Sequence, residues 1–182
     1  YEQGTFILYV GRLVKQKGIF TLVKAMAQVS LPSPPLYIVG DGEERKKLEL
    51  MVTELGVQNR VKILGAKWGS EVQQLLRECM FVVIPSEWYD NLPLVLCQAY
   101  AMAKPVIASA INGIPEYVEN EVDGLLFQPG DVQELSRCIE RLISDSHLLT
   151  RMSANARRKA EEMFDFQAYW NRLAAIIQEV VR

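Results

Sequence analysis

Short apolar runs alternate with amphipathic stretches of helix length along most of the chain, and this alternation limits the fold more than any single motif does. Thr5 to Val10 reads as a core strand, followed by Gly18 to Val29 with Phe20, Leu22, Val23, Met26 and Ala27 at helical spacing. Leu36–Val39 leads into Glu43–Leu55, and Val61–Leu64 into Ser70–Cys79. Phe81–Ile84 precedes Leu92–Ala103, and the runs Pro105–Ala108 and Gly124–Phe127 close the series. Strands this uniformly apolar are covered on both faces, as in parallel sheets, and parallel neighbours need helical crossovers. The pattern predicts an α/β domain, doubly wound, with a parallel sheet of about six strands.

From Asp131 onward three helical patterns follow without a strand: Asp131–Ile143, Leu148–Met163 and Phe166–Val181. Asp131 and Asp165 are candidate N-caps, and the many charges of this tail read as a solvated helix face. Leu31 to Pro35 is a short rigid loop and not a linker between domains. A chain of 182 residues, 49% hydrophobic and 23% charged, can bury a core without disulfides or metals. The formal net charge of -2 gives no global basic field for nucleic acid. Any bound anion must therefore be caught by a few placed cations. Cys79, Cys97 and Cys138 form no CxxC pair and read as reduced, buried thiols, which suits a cytoplasmic protein. His147 is the sole histidine, in a loop before the second tail helix, so a multi-histidine metal site has no material. No apolar run reaches the ~20 residues of a membrane span. The first residue is not Met and a core strand starts almost at once, so the chain is expected to begin inside a longer polypeptide.

In an open parallel sheet, ligands bind beyond the C-terminal strand ends. Those ends are Gly11-Arg12, Gly40-Asp41-Gly42, Gly65-Ala66-Lys67, Pro85-Ser86-Glu87 and Ser109. At the first, Arg12 and then Lys17-Gly18 bring two cations and glycine-relieved backbone to the start of the next helix. That combination suits a diphosphate, although each could also be an ordinary surface charge. Between the fourth end and its helix lies Glu87-Trp88-Tyr89-Asp90-Asn91-Leu92-Pro93-Leu94, where Leu92 or Pro93 could start the helix and aim backbone N–H groups at the cleft. Asp90 could cap that helix. Gln98, two turns along the same face, needs a polar partner if buried, which a sugar hydroxyl, a ribose or a neighbouring loop would each supply. There is no P-loop, and Gly40-Asp41-Gly42 carries Arg45 where a dinucleotide fingerprint has its third glycine.

These motifs, in order, resemble the C-terminal domain of the group-1 family of retaining glycosyltransferases. Tyr9-Val10-Gly11-Arg12-Leu13 with Lys17-Gly18 looks like the family's G-R-L-x-x-x-K-G segment, and Leu36 to Gly42 like its second strand and turn. Pro85 to Ala99, Lys104 to Ser109, Gly113 to Glu116 and Asp123 to Phe127 with Pro129-Gly130-Asp131 continue the match. The resemblance implies a Rossmann-like nucleotide-sugar-binding domain over residues 1–164, one half of a GT-B fold. Residues 165–182 would form a helix reaching toward an N-terminal acceptor domain, with Phe166, Trp170, Leu173, Ile176 and Ile177 among its contacts.

The resemblance also implies roles. Arg12 and Lys17 would grip the diphosphate of a UDP-, GDP- or ADP-sugar and stabilise the departing nucleotide, beside Gly11, Gly40 and the amides near Asn91, Leu92, Pro93 and Leu94. Backbone from Leu64 to Lys67 would meet the base. Neither metal nor cofactor would be needed, and the fragment alone would be inactive. The location expected is cytoplasmic or peripheral to the inner membrane through the other domain. The family's two glutamates, spaced E-x7-E for the donor sugar and the ribose, fall at Asp90 and Gln98, and neither is glutamate here. Asp90 loses about 1 Å of reach, and a misplacement of that size can cost ~10²-fold. The alternative is a nucleotide-binding or regulatory domain with a degraded donor site.

Overall fold

The computed structural model describes residues 4–30, 32–89, 91–163 and 165–180, apart from the side chains of Phe166, Ala168 and Val180. Asp90, which the family pattern places at the sugar, lies outside the described residues, as does Val181, the expected end of the last helix.

The chain runs β1 (Phe6–Val10), a 3-10 turn (Lys15–Lys17), α1 (Ile19–Gln28), β2 (Leu36–Val39), α2 (Arg45–Glu54), β3 (Val61–Gly65), α3 (Ser70–Glu78) and β4 (Cys79–Ile84). It continues through α4 (Leu94–Ala101), β5 (Val106–Ser109), α5 (Ile114–Tyr117), β6 (Gly124–Phe127), α6 (Val132–Ser144), α7 (Ser146–Met163) and α8 (Phe166–Val180). The six strands pair in parallel in the order β3-β2-β1-β4-β5-β6. This is the doubly wound order, in which sheet growth reverses between β1 and β4 and opens a crevice beyond their C-terminal ends.

Each face of the sheet carries its own core. In β1, Ile7 and Tyr9 pack with Leu22, Met26, Leu48, Leu135 and Ile139, whereas Phe6 and Leu8 pack with Leu76, Leu96, Tyr100 and Ala156. The alternation follows from the two-residue period of a strand. β3 is an edge, and its Lys62 and Leu64 are exposed, so it departs from the expectation of strands covered on both faces.

Local chemistry also moves several expected boundaries. Lys17 ends a separate 3-10 turn and does not open α1, because Gly18 turns left-handed at φ 65° between the two. α4 starts at Leu94, later than Leu92 or Pro93, because Pro93 is extended at φ -61° and ψ 123°. Cys79 belongs to β4 and not to the end of α3. His147 lies in the first turn of α7, not in a loop, since Asp145 Oδ1 accepts from Leu148 N at 2.8 Å and caps that helix early. Asp131 and Asp165 cap as expected, accepting from Glu134 N and Gln167 N, each at 2.9 Å. Of the three thiols only Cys79 is fully buried, Cys97 and Cys138 being half-buried, and all are unpaired. Burial pushes the Cys79 thiol up to about 12 and that of Cys138 to about 11, so neither is a thiolate at neutral pH.

One buried charge ties three elements together. Asp123 Oδ1 accepts from Tyr100 Oη at 2.6 Å and from Glu119 N at 2.9 Å, and Oδ2 accepts from Lys159 Nζ at 2.7 Å. The carboxylate is 2% exposed, so its partners in α4, α7 and the turn after α5 replace its water. Burial, and then the negative charge of Asp123, push the Tyr100 phenol up. Asp123→Ala leaves Lys159 and Tyr100 without that acceptor and is expected to lower stability by about 3–5 kcal/mol. Urea unfolding checks this, and a loss below ~1 kcal/mol would contradict the assigned role.

Candidate functional site

The crevice between β1 and β4 is built from three loops locked to one another. Gly18 lies so close to the loop after β4 that a Cβ there would sit 1.7 Å from the Pro85 carbonyl oxygen. Glu87 N donates to Gln16 O at 2.9 Å, and Thr21 Oγ1 donates to Glu87 Oε1 at 2.5 Å. The turn that carries Lys17 and the loop that follows β4 are therefore held as one piece. On the other side, Ser109 Oγ donates to Ser86 O at 2.6 Å, and Gly113 approaches Asn91 so closely that a Cβ would lie 2.5 Å from its carbonyl oxygen. Of these groups, Ser86, Glu87 and Ser109 were placed at strand ends by the sequence and Gly113 only within a family-like stretch, whereas Thr21 was not singled out. Their contacts are long-range and leave no local spacing to read.

Three cavities line this crevice and share residues. One of about 530 Å3 is bordered by Arg12, Gln16, Lys17, Glu43, Trp88 and Tyr89. The next, of about 340 Å3, runs from Gly11 and Lys17 to Leu92, Pro93, Leu94 and Gln98. The third, of about 290 Å3, joins Gly11, Arg12, Gly40, Ala66, Lys67 and Trp68. Lys17 thus borders the first two, Arg12 the first and third, and Gly11 the second and third. Gly11, Arg12, Lys17, Gly40, Lys67, Leu92, Pro93, Leu94 and Gln98 all border this connected cleft. Asn91 is placed beside it through Gly113. Leu64 is not brought in: it borders a separate cavity at the edge strand with Tyr37, Glu49 and Val61.

The chemistry on offer is cationic at one end and polar but uncharged at the other. Arg12 is exposed and, among the described residues, makes no ion pair. Gln98 is half-buried on α4, facing the middle cavity. Because α4 begins after Pro93, the unsatisfied amides of its first turn start at Leu94, the last residue of the stretch expected to supply them. An elongated anion with hydroxyls would meet Arg12 and Lys17 first, then the start of α4, then Gln98. Among the described residues no group of His, Cys, Asp and Glu could hold a metal ion, and no helix is long and apolar enough to cross a membrane.

Doubly wound order with a crevice at the reversal point defines a Rossmann-like type of α/β domain. Comparison with known proteins makes the assignment: residues 1–159 match the model of Glycosyl transferases group 1, and the chain belongs to that family. Alpha-D-kanosaminyltransferase of Streptomyces kanamyceticus is 29% identical over 98% of this chain and 47% of its own length. The lipopolysaccharide core biosynthesis glycosyltransferase LpsD of Rhizobium meliloti is 33% identical over 89% of this chain and 46% of its own. Among solved structures, HepE of Anabaena in complex with UDP superposes with a TM-score of 0.87 at 31% identity, covering 97% of this chain and 49% of HepE. HepE with UDP-glucose gives 0.86 at 31% identity and the same coverage. The chain is thus a Rossmann-like domain of the GT-B glycosyltransferase fold, and it spans about half the length of the curated relatives it matches.

Gly18→Ala is expected to destabilise the protein by more than about 1 kcal/mol, since Ala disfavours φ 65° and its Cβ would overlap the Pro85 carbonyl. Chemical denaturation measures this; an unchanged midpoint would mean the two loops are not locked there.

Proposed function

We propose that this chain is the donor-binding half of a retaining glycosyltransferase that moves a sugar from a nucleotide-sugar to an acceptor. The observation that carries the reading is the convergence of Arg12, Lys17 and the start of α4 on one crevice at the β1/β4 reversal. It is supported by HepE, a 31% identical structure in complex with UDP and with UDP-glucose. In this reading Arg12 forks onto the diphosphate and Lys17 adds a mobile point charge. Both interactions strengthen as negative charge gathers on the departing nucleotide, which is how placed cations lower a barrier. The first-turn amides of α4 assist, Gln98 accepts from a ribose hydroxyl, and Asp90 contacts the donor sugar. No metal is required, because the two cations supply the neutralising charge.

We further propose the division into residues 1–164 and a terminal helix, 165–182, that reaches an N-terminal acceptor domain of the same polypeptide. None of the described side chains of α8 is buried, and Tyr169, Ile176 and Ile177 are exposed along it. An apolar surface of this kind needs a partner. The relatives' other half, beyond the share this chain covers, is the natural one. The acceptor and any catalytic base would come from that domain, and the whole enzyme would be cytoplasmic, or peripheral to the inner membrane through it.

A second reading, a nucleotide-binding or regulatory domain with a weakened donor site, is favoured only by Asp90 and Gln98 standing where the family pattern has glutamates. Thermal shift separates the two. UDP, GDP or ADP at 100 times its dissociation constant stabilises a binder by about 2.7 kcal/mol, and Arg12→Ala with Lys17→Ala is expected to abolish the shift. A degraded site shows no shift with any of the three, and a shift that survives the double substitution puts the ligand elsewhere. This chain alone is expected to transfer no sugar from UDP-glucose to water or to a simple glycoside. Turnover by the 182 residues in a UDP-release assay would contradict the division of labour.

A further inference from the structure

A single residue after β4 brackets the softest joint of the turn that carries Lys17. Gly18 follows that lysine at φ 65°, a conformation that glycine enters at little cost and leaves as readily. Glu87 spans the joint from both sides. Its backbone N–H donates to Gln16 O at 2.9 Å, one residue before Lys17, and its Oε1 accepts from Thr21 Oγ1 at 2.5 Å, in the first turn of α1. Thr21 is 8% exposed, so water competes poorly for its hydroxyl. Lys17, between the two anchors, borders both the cavity of about 530 Å3 and that of about 340 Å3. A lysine is a point charge on a flexible four-carbon stem and lacks the rigid fork of an arginine. The reach of its Nζ is therefore set by where the backbone holds its Cα, and Glu87 holds that backbone. Arg12 has a separate tie, since Tyr9 Oη donates to its carbonyl oxygen at 2.9 Å.

We infer that Glu87 and Thr21 are positioning residues for the phosphate grip: their hydrogen bond fixes the Lys17 turn, and neither needs to touch the ligand. This rests on the donor-site reading and adds the pair that sets the reach of one of its two cations. What Thr21 requires of Glu87 is an acceptor oxygen and not a charge, so an amide at position 87 serves as well. Loss of either partner frees the joint at Gly18, and a misplacement of about 1 Å can cost a placed group much of its effect.

UDP and uridine are the probes, and calorimetry on the chain gives both affinities, uridine by competition with UDP. Thr21→Val and Glu87→Ala are each expected to weaken UDP about fivefold or more and to leave uridine within about twofold, because only the phosphates meet Lys17. Thr21→Ser and Glu87→Gln, which keep the bond, are expected to stay within about twofold for both probes. In a Lys17→Ala background neither Thr21→Val nor Glu87→Ala is expected to cost anything further, whereas in an Arg12→Ala background the loss of about fivefold remains. Equal losses for UDP and uridine, a loss that persists without Lys17, or a Glu87→Gln variant as weak as Glu87→Ala would each overturn the proposal. Glu87 lies half-buried in a loop, so Glu87→Ala carries the test by itself if Thr21→Val fails to fold. Absence of UDP binding to the unsubstituted chain would overturn the donor-site reading itself.

Discussion

The reversal of sheet growth between β1 and β4 is the constraint on which the site depends. Two strands placed side by side, whose chains then leave in opposite directions, cannot close the space beyond their ends. The protein does not leave that space soft. Glycine at 18 lets the β1 loop touch the Pro85 backbone, and Glu87 fastens itself to Gln16 and Thr21. The result is a rigid crevice whose cations stand on structure fixed by packing, so little ordering is left to be done when a ligand arrives.

Away from the crevice the same economy of backbone contact recurs. The Asp123 carboxylate joins α4 to α7 and to the turn after α5, and through α4 it bears on the helix whose first turn faces the cleft. The Asp-Gly-Leu-Leu-Phe stretch at Asp123, part of the family pattern, thus has a structural explanation in this chain. The buried charge holds the last turn of α4, at Tyr100, to α7 and to the turn after α5.

Much of the fold was legible because the signals are local. Phe6–Val10, Leu36–Val39 and Phe81–Ile84 are continuous apolar runs, and each became a buried strand. Asp131 announced α6 by its side chain alone. Arg12, Lys17 and Gln98 could be assembled because strand-end logic places them without any need for contacts. What stayed hidden needed tertiary information. The Thr21–Glu87 bond spans most of the domain's first half, and the exposed edge of β3 depends on which strand lies outermost, so Leu64 left the cleft that its sequence neighbours entered.

The central claim is that one continuous surface, from the end of β3 across β1 to the start of α4, receives a nucleotide. Amide chemical-shift mapping of the isotope-labelled chain titrated with UDP addresses it residue by residue. The expected result is a contiguous set of perturbed amides at Gly11 to Gly18, Gly40 to Gly42, Ala66 to Trp68 and Leu94 to Gln98, saturating together. Perturbations confined to the β3 edge cavity around Tyr37 and Leu64, or to α8, would contradict the claim.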